Sequence, residues 1–202
     1  FFIAAIWMSG LLGKNEQASN QIALNLSSMT FMVAMGFSVV SMIRIGEMFG
    51  KSDIVNLKRI AYSLFLIIFF FDSFFCAIFL FFNEYLPWIY LSKTGDKSLS
   101  DVFQVIEISS KLIMISGVFQ IFDGLQAVVL GALRGIQDVF VPTVLIFIAY
   151  ILVGLPVSYY LGLKTHLGVF GIWIGLLIGL VSSSIFLLLR FRYDLNFIFN
   201  KR

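Results

Sequence analysis

Long apolar stretches alternate with short polar connections along most of the chain. A helix that crosses the roughly 30 Å hydrocarbon core of a bilayer needs about 20 mostly apolar residues. Because a spanning segment must satisfy its own backbone hydrogen bonds, the pattern predicts an all-α integral membrane protein. Five stretches are long enough and are predicted as membrane-spanning helices: Ile22 to Ile43, Ile60 to Phe82, Leu112 to Leu133, Val141 to Leu163 and Val169 to Leu189.

A sixth apolar stretch, Phe1 to Leu12, is too short to cross a bilayer at 12 residues. The polar residues Gly13 to Gln17 follow it and are typical of a connection between two helices. We interpret the stretch as the second half of a span that starts upstream. Residues 1–202 are then expected to form one transmembrane domain, a six-helix bundle with its first helix truncated.

Composition narrows the class of protein further. Hydrophobic residues make up 60% of the chain and charged residues 12%, against about 25% charged in soluble domains. The single cysteine, Cys76, and the single histidine, His166, argue against a disulfide framework and against most hydrolase arrangements. Phosphate-binding loops are absent, and the basic residues form no stripe for nucleic acid. We therefore expect no enzymatic activity, no cofactor and no nucleic-acid partner.

Basic residues are distributed unevenly between alternate connections, and cytoplasmic loops are enriched in Lys and Arg. Four basic residues, Lys14, Lys93, Lys97 and Lys164, lie on one side. The side that holds more of them is predicted to be cytoplasmic, and it includes the C-terminus. Nine basic residues lie there: Arg44, Lys51, Lys58, Arg59, Arg134, Arg190, Arg192, Lys201 and Arg202.

Two local patterns concern helix packing. Glycines recur every four residues at Gly131 and Gly135, and again at Gly171, Gly175 and Gly179, which favours close approach of helix backbones in a membrane. Glu107 and Lys111 stand at i and i+4, and this pair favours a helical lead-in to the Leu112 to Leu133 span.

One acidic residue lies where lipid would surround an ordinary span. Asp123 is the twelfth residue of the 22 in its span, and a charge at that depth costs at least about 2.5 to 3.5 kcal/mol. A carboxylate there is expected to face the bundle interior or a water-filled cavity. At about 100° per residue, other polar side chains gather on the same side of the helix. This polar stripe consists of Ser109, Ser116, Gln120, Gln126 and Arg134.

Two further groups are candidates for the same cavity. Asp72 is also near mid-span, but its helical neighbours are apolar, and we treat it as a secondary acidic candidate. The Ile22 to Ile43 span carries polar and methionine side chains on one face, and methionine is common on adaptable binding surfaces. The cavity-lining candidates on this face are Asn25, Ser28, Met29 and Met32.

Several blocks of sequence resemble one family in order along the chain. Asn20 to Ser28, with Ile43 to Gly46, looks like the eighth helix of multidrug and toxic compound extrusion (MATE) transporters of the NorM type. Asp123 to Gln126 and Gly131 to Gly135, with Asp138 and Pro142, resemble the tenth helix and the following turn. Further blocks resemble helices eleven and twelve: Tyr150, Gly154 to Pro156, Tyr159, Gly168, Gly171 and Trp173.

This resemblance implies the C-terminal lobe of a twelve-helix transporter, helices seven to twelve, in a bacterial inner membrane. It implies an antiporter that exports cationic amphipathic drugs in exchange for Na⁺ or H⁺, with the N-terminal lobe and membrane lipids as partners. Asp123 matches the family's cation-site aspartate. Phe119 stands where some sodium-coupled relatives have Tyr, so it offers a π face to the cavity but no hydroxyl ligand.

Three other functions are alternatives at this stage. A lipid-linked oligosaccharide flippase of the same superfamily would prefer a broad cationic cavity, whereas the candidates here are mainly Asp, Gln, Ser and Met. An intramembrane lipid transferase would need clustered carboxylates or histidines at the interface. A membrane scaffold without transport activity would account for the glycines but not for Asp123.

Overall fold

The computed structural model of the protein describes residues 2–91 and 99–200, with side chains described except at 99 and 198–200. Phe1 and four residues of the charge count, Lys93, Lys97, Lys201 and Arg202, lie outside the described residues. Within those limits the chain is helical and contains no strand. Its helices are α1 (Phe2–Leu12), α2 (Lys14–Gly50), α3 (Ile54–Phe81), the short α4 (Trp88–Leu91), α5 (Leu99–Gly135), α6 (Phe140–Lys164) and α7 (Val169–Asn200).

Five of these helices, α2, α3, α5, α6 and α7, are long and apolar enough to cross a membrane, which confirms the five predicted spans. Helices α2 and α5 have 37 residues each, about 55 Å at 1.5 Å per residue, and so extend beyond the hydrocarbon core. The helical lead-in to the Asp123 span is confirmed, because α5 begins at Leu99 and Lys111 Nζ lies 2.8 Å from Glu107 Oε1.

The prediction that Gly13 to Gln17 forms a polar connection is wrong. Only Gly13 separates α1 from α2, and Lys14 already belongs to α2. Polar side chains suit the first turn of a helix that projects beyond the lipid, and the carboxylate of Glu16 there is favoured by the helix dipole. Polarity at this point therefore marks the start of a helix rather than a loop.

The turn between α2 and α3 is tight and is closed by a helix cap. Asp53 is the N-cap of α3, and its Oδ1 accepts a hydrogen bond from the Asn56 backbone N–H at 3.1 Å. Its Oδ2 accepts a second bond, from Asn56 Nδ2 at 2.6 Å. Because both bonds favour the charged form, they hold the pKa of Asp53 below its usual value.

Helix α5 lies in the middle of the bundle and packs against α2, α3 and α7. Its contact with α2 is close, because a Cβ atom on Gly131 would overlap the backbone oxygen of Ser38. One turn on, a Cβ on Gly135 would lie 2.7 Å from the backbone oxygen of Met42. The predicted approach of backbones at these glycines is confirmed, since a side chain at either position would separate the two helices.

Helix α6 contains two π-helical segments, Ile148–Gly154 and Tyr160–Lys164, and packs along α7. The contact again depends on glycine: a Cβ on Gly171 or Gly175 would overlap the α6 backbone at Leu161 or Ser158. Ser158 Oγ donates to the backbone oxygen of Ile172 at 3.1 Å. Segments of π-helix are frequent at functional sites, and the first one places Tyr150 beside the centre of α5.

Candidate cation-binding site

The site is built around Asp123, in the membrane-spanning part of α5. Its side chain is half-buried, and among the carboxylates of the described residues it alone lines these two cavities between α5 and its neighbours. The first cavity extends along the earlier turns of α2, and the second extends toward the end of the bundle that carries Arg134. A carboxylate at mid-helix thus lies next to open space rather than in a sealed core.

The first cavity has a volume of about 330 Å³ and a mainly aromatic and aliphatic wall. The Phe119 ring packs edge-to-face against Trp173 at 5.6 Å and against Phe2 at 5.9 Å between ring centroids. Polar groups reach the cavity from successive turns of α2. Its lining residues are Phe2, Ile6, Gln21, Leu24, Asn25, Ser27, Ser28, Phe31, Phe119 and Asp123.

The second cavity is smaller, about 170 Å³, and more polar. Tyr150 Oη donates a 2.8 Å hydrogen bond to Gln126 Oε1, which ties α6 to α5 one turn from Asp123. Arg134 is the one basic residue among its lining residues. These are Phe2, Phe31, Met35, Ser38, Asp123, Gln126, Ala127, Leu130, Arg134 and Tyr150.

Of the residues proposed from sequence, five reach the cavities: Asn25, Ser28, Phe119, Asp123 and Gln126. They come from α2 and α5, so the α2–α5 contact brings the two sequence segments together.

The other proposed residues lie outside both cavities. Ser116 Oγ donates to the Ile113 backbone oxygen within α5, and Gln120 Oε1 accepts from Thr30 Oγ1 of α2 at 2.7 Å. Met29 and Met32 are 65% and 77% exposed on the outside of α2. The polar stripe of α5 therefore divides into helix-contact residues and cavity-lining residues.

Asp72 also lies outside both cavities, buried at the contact between α3 and α5.

Sequence reasoning did not select the aromatic cavity residues Phe2, Phe31 and Tyr150 as site residues, nor Ser38. A phenylalanine in the middle of a span can face either a cavity or lipid, so its position in the sequence does not distinguish the two. Tyr150 does carry a signal, because a phenol in the middle of an apolar span needs a hydrogen-bond partner there. The structure supplies that partner as Gln126.

We expect Tyr150→Phe to lower the free energy of unfolding by about 0.6 kcal/mol, the average for hydrogen bonds between membrane helices, and by no more than about 1.7 kcal/mol, the largest such value. The variant removes the bond to Gln126 and retains the ring. Unfolding of the purified protein in mixed micelles would measure the change. Tyr160→Phe, on the same helix with an exposed ring, is the matched control and should leave the unfolding free energy unchanged. Equal stability of the two variants would contradict the assigned role of the Tyr150 hydrogen bond.

The fold and site together define a class of protein. It is a multi-pass helical membrane protein with a carboxylate at mid-bundle that opens into aromatic and polar cavities. A sequence model of the MatE family matches residues 1–160, and the chain belongs to that family.

Curated relatives agree with this membership. The chain is 34% identical over 190 residues to the probable multidrug resistance protein NorM of Rhizobium meliloti, covering 94% of this chain and 40% of that protein. It is 35% identical over 198 residues to the multidrug resistance protein NorM of Photobacterium profundum, covering 96% and 41%. The chain thus spans about two fifths of the length of the curated relatives that it matches.

Solved structures show the same fold. The crystal structure of the eukaryotic MATE transporter AtDTX14 superposes with a TM-score of 0.84 at 18% identity, covering 99% of this chain and 44% of that one. An outward-facing MATE family transporter superposes with a TM-score of 0.83 at 18% identity, covering 98% and 42%. The predicted fold class, a helical bundle of the MATE type, is confirmed.

Proposed function

We propose that residues 1–202 form the C-terminal lobe of a two-lobe drug exporter, an antiporter that exchanges organic cations for Na⁺ or H⁺ at Asp123. The lobe is proposed to reside in a bacterial inner membrane with its C-terminus in the cytoplasm. Its partners are the N-terminal lobe of the same transporter, membrane lipids, cationic amphipathic molecules and the coupling ion. No step of this activity requires a cofactor or a chemical reaction.

The observation that carries the proposal is the placement of the Asp123 carboxylate between two cavities. An ionised group in a membrane interior is costly, and such groups mark ion and substrate pathways when they face a cavity. Phe2, Phe31 and Phe119 line the first cavity beside the carboxylate. Aromatic faces attract organic cations, and this attraction strengthens where water is excluded. A cationic molecule with an apolar body could therefore place its charge near the Asp123 carboxylate and its apolar part against the aromatic rings.

Coupling follows from competition for one negative charge. A proton, a sodium ion or the positive end of a drug can each neutralise Asp123, and two of them together would leave an excess positive charge. Oxygen-bearing side chains that could contact a sodium ion at Asp123 line both cavities: Asn25 and Ser28 line the first, and Gln126 and Tyr150 line the second. Rocking of two lobes about this midplane site would expose it to each side of the membrane in turn.

The cavity walls do not favour a flippase for pyrophosphate-linked lipids. Such a substrate carries several negative charges and would need several basic side chains around it. Among the lining residues of both cavities, Arg134 is basic and Asp123 is acidic, so the wall offers no net positive charge.

The test uses the complete two-lobe transporter, purified and reconstituted into liposomes. Movement of a fluorescent organic cation is followed under an imposed sodium gradient and, separately, under an imposed pH gradient. The proposal predicts cation movement against its own gradient in at least one of the two conditions. A neutral dye of similar size serves as the control and should not accumulate.

Two results would contradict the proposal. The first is the absence of driven cation movement under both gradients, with the protein folded and inserted. The second is transbilayer movement of a pyrophosphate-linked lipid by the same liposomes, which would favour the flippase.

A further inference from the structure

A second carboxyl group lies in the membrane-spanning part of the bundle and takes no part in the cavities. Asp72 belongs to α3, where its side chain is 1% exposed. Ile68 and Cys76, one turn away on either side, are buried with it. Asp72 is therefore enclosed in an apolar contact, where the free-energy cost of a charged group is high.

No partner for a charged form of Asp72 is found in the part of the chain that the structure describes. Its Oδ2 is buried and accepts no hydrogen bond, and the side chain makes no ion pair there. A carboxylate without a partner is strongly disfavoured in such a place, and a bound proton would remove its charge. The buried, unpartnered oxygen is what distinguishes Asp72 from an acidic residue that is merely close to a site.

The same oxygen points at the segment of α5 that carries the cation site. Asp72 Oδ2 lies against Gly124, the residue after Asp123, at a position that a Cβ on Gly124 would overlap. Glycine at this position thus leaves room for the carboxyl group. Among the described ionisable groups, Asp123 on α5 is next to Gly124 in sequence, and its charge acts on Asp72. The Cys76 thiol lies one turn away from Asp72 on α3.

We infer that Asp72 is a second proton-binding site of the proposed transporter, coupled to Asp123 across the α3–α5 contact. Two carboxyl groups that feel each other's charge give up their protons in separate steps that belong to the pair. Binding of a cation at Asp123 changes the charge that Asp72 faces, and so changes its proton occupancy. Two carboxyl groups, Asp72 and Asp123, then exchange protons, although only Asp123 lines the cavities.

This inference rests on the proposed function only for its link to transport, because proton binding at Asp72 can be measured without transport. The experiment follows the infrared absorption of protonated carboxyl groups during a pH titration of the complete two-lobe transporter in detergent. Four proteins are compared: the parent, Asp123→Asn, Asp72→Asn and the double variant. The double variant supplies the background from all other carboxyl groups.

We expect each single variant to retain one titrating carboxyl group above the double variant, and the parent to retain two. The titration of Asp123 should also move when Asp72 is replaced. Glu107→Gln, which removes an exposed carboxylate paired with Lys111, is the control and should leave the titration of this pair unchanged. Asp72→Ser, which is smaller and cannot crowd Gly124, replaces Asp72→Asn if that variant fails to fold.

The inference is overturned if Asp123→Asn and the double variant give the same titration, or if replacement of Asp72 leaves the Asp123 titration unchanged. Dye transport in liposomes is measured on the same preparations. A residual Asp72 signal without any driven transport would reject the exporter and leave the second proton site standing. Driven transport without an Asp72 signal would reject the second proton site and leave the exporter standing.

Discussion

Replacement of Asp123 by Asn in the complete two-lobe transporter is expected to lower gradient-driven efflux of organic cations at least about tenfold. Asparagine has nearly the same shape, so the fold should persist while the negative charge is lost. A hydrogen bond to a charged group is worth about 1.5 to 3 kcal/mol, and each 1.4 kcal/mol corresponds to a factor of ten. Initial rates of dye efflux from liposomes, together with drug resistance of cells that express the variant, would measure the loss.

Glu107→Gln is the matched control for this prediction. It removes one carboxylate from the same helix, but the group is exposed and pairs with Lys111 outside both cavities. Efflux by this variant should equal that of the parent. Unchanged efflux and unchanged resistance in Asp123→Asn would show that coupling does not involve this carboxylate, and the proposed site would have to be abandoned.

Gly131→Ala is expected to destabilise the bundle by about 1 to 3 kcal/mol, the usual cost of overfilling a packed contact. The added methyl group would overlap the Ser38 backbone oxygen, which cannot move aside as the end of a flexible side chain could. Ser38 Oγ also donates to the Ala127 backbone oxygen at 2.6 Å, so separation of α2 from α5 would strain this bond as well. Unfolding in mixed micelles would measure the change.

Gly36→Ala provides the comparison, because Gly36 lies in α2 with no other atom near its Cβ position. Alanine there should raise stability by about 0.5 to 1 kcal/mol, since glycine in a helix interior is the less favourable residue. If both alanine variants changed the free energy of unfolding equally, close packing at Gly131 would not hold α2 against α5.

Much of the fold could be predicted from the sequence because a bilayer restricts the length and the secondary structure of the segments that cross it. Apolar length alone identified the five spanning helices, and glycine spacing indicated where helix backbones approach closely, although not which helices pair. Connections were less predictable: residues 14–17 are polar and yet helical, because α2 extends beyond the lipid.

The candidate site was only partly predictable. Helical periodicity placed Ser116, Gln120 and Gln126 on one side of α5 with Asp123. It does not show which neighbouring helix packs against each turn of α5. Gln120 meets Thr30 in a helix contact, whereas Gln126 meets Tyr150 at a cavity wall. For the same reason Met29 and Met32, which share a face with Asn25 by periodicity, lie outside both cavities.

For this protein the sequence by itself determined the five spanning helices and the presence of a costly carboxyl group near the middle of two of them, Asp123 and Asp72. Both follow from the free energy of single residues in lipid, which depends on composition and depth rather than on neighbours. Only the tertiary structure decided that Asp123 opens into two cavities while Asp72 lies sealed against Gly124. That difference depends on how α2, α3 and α6 pack around α5, and packing between distant segments is not recorded in the periodicity of any one helix.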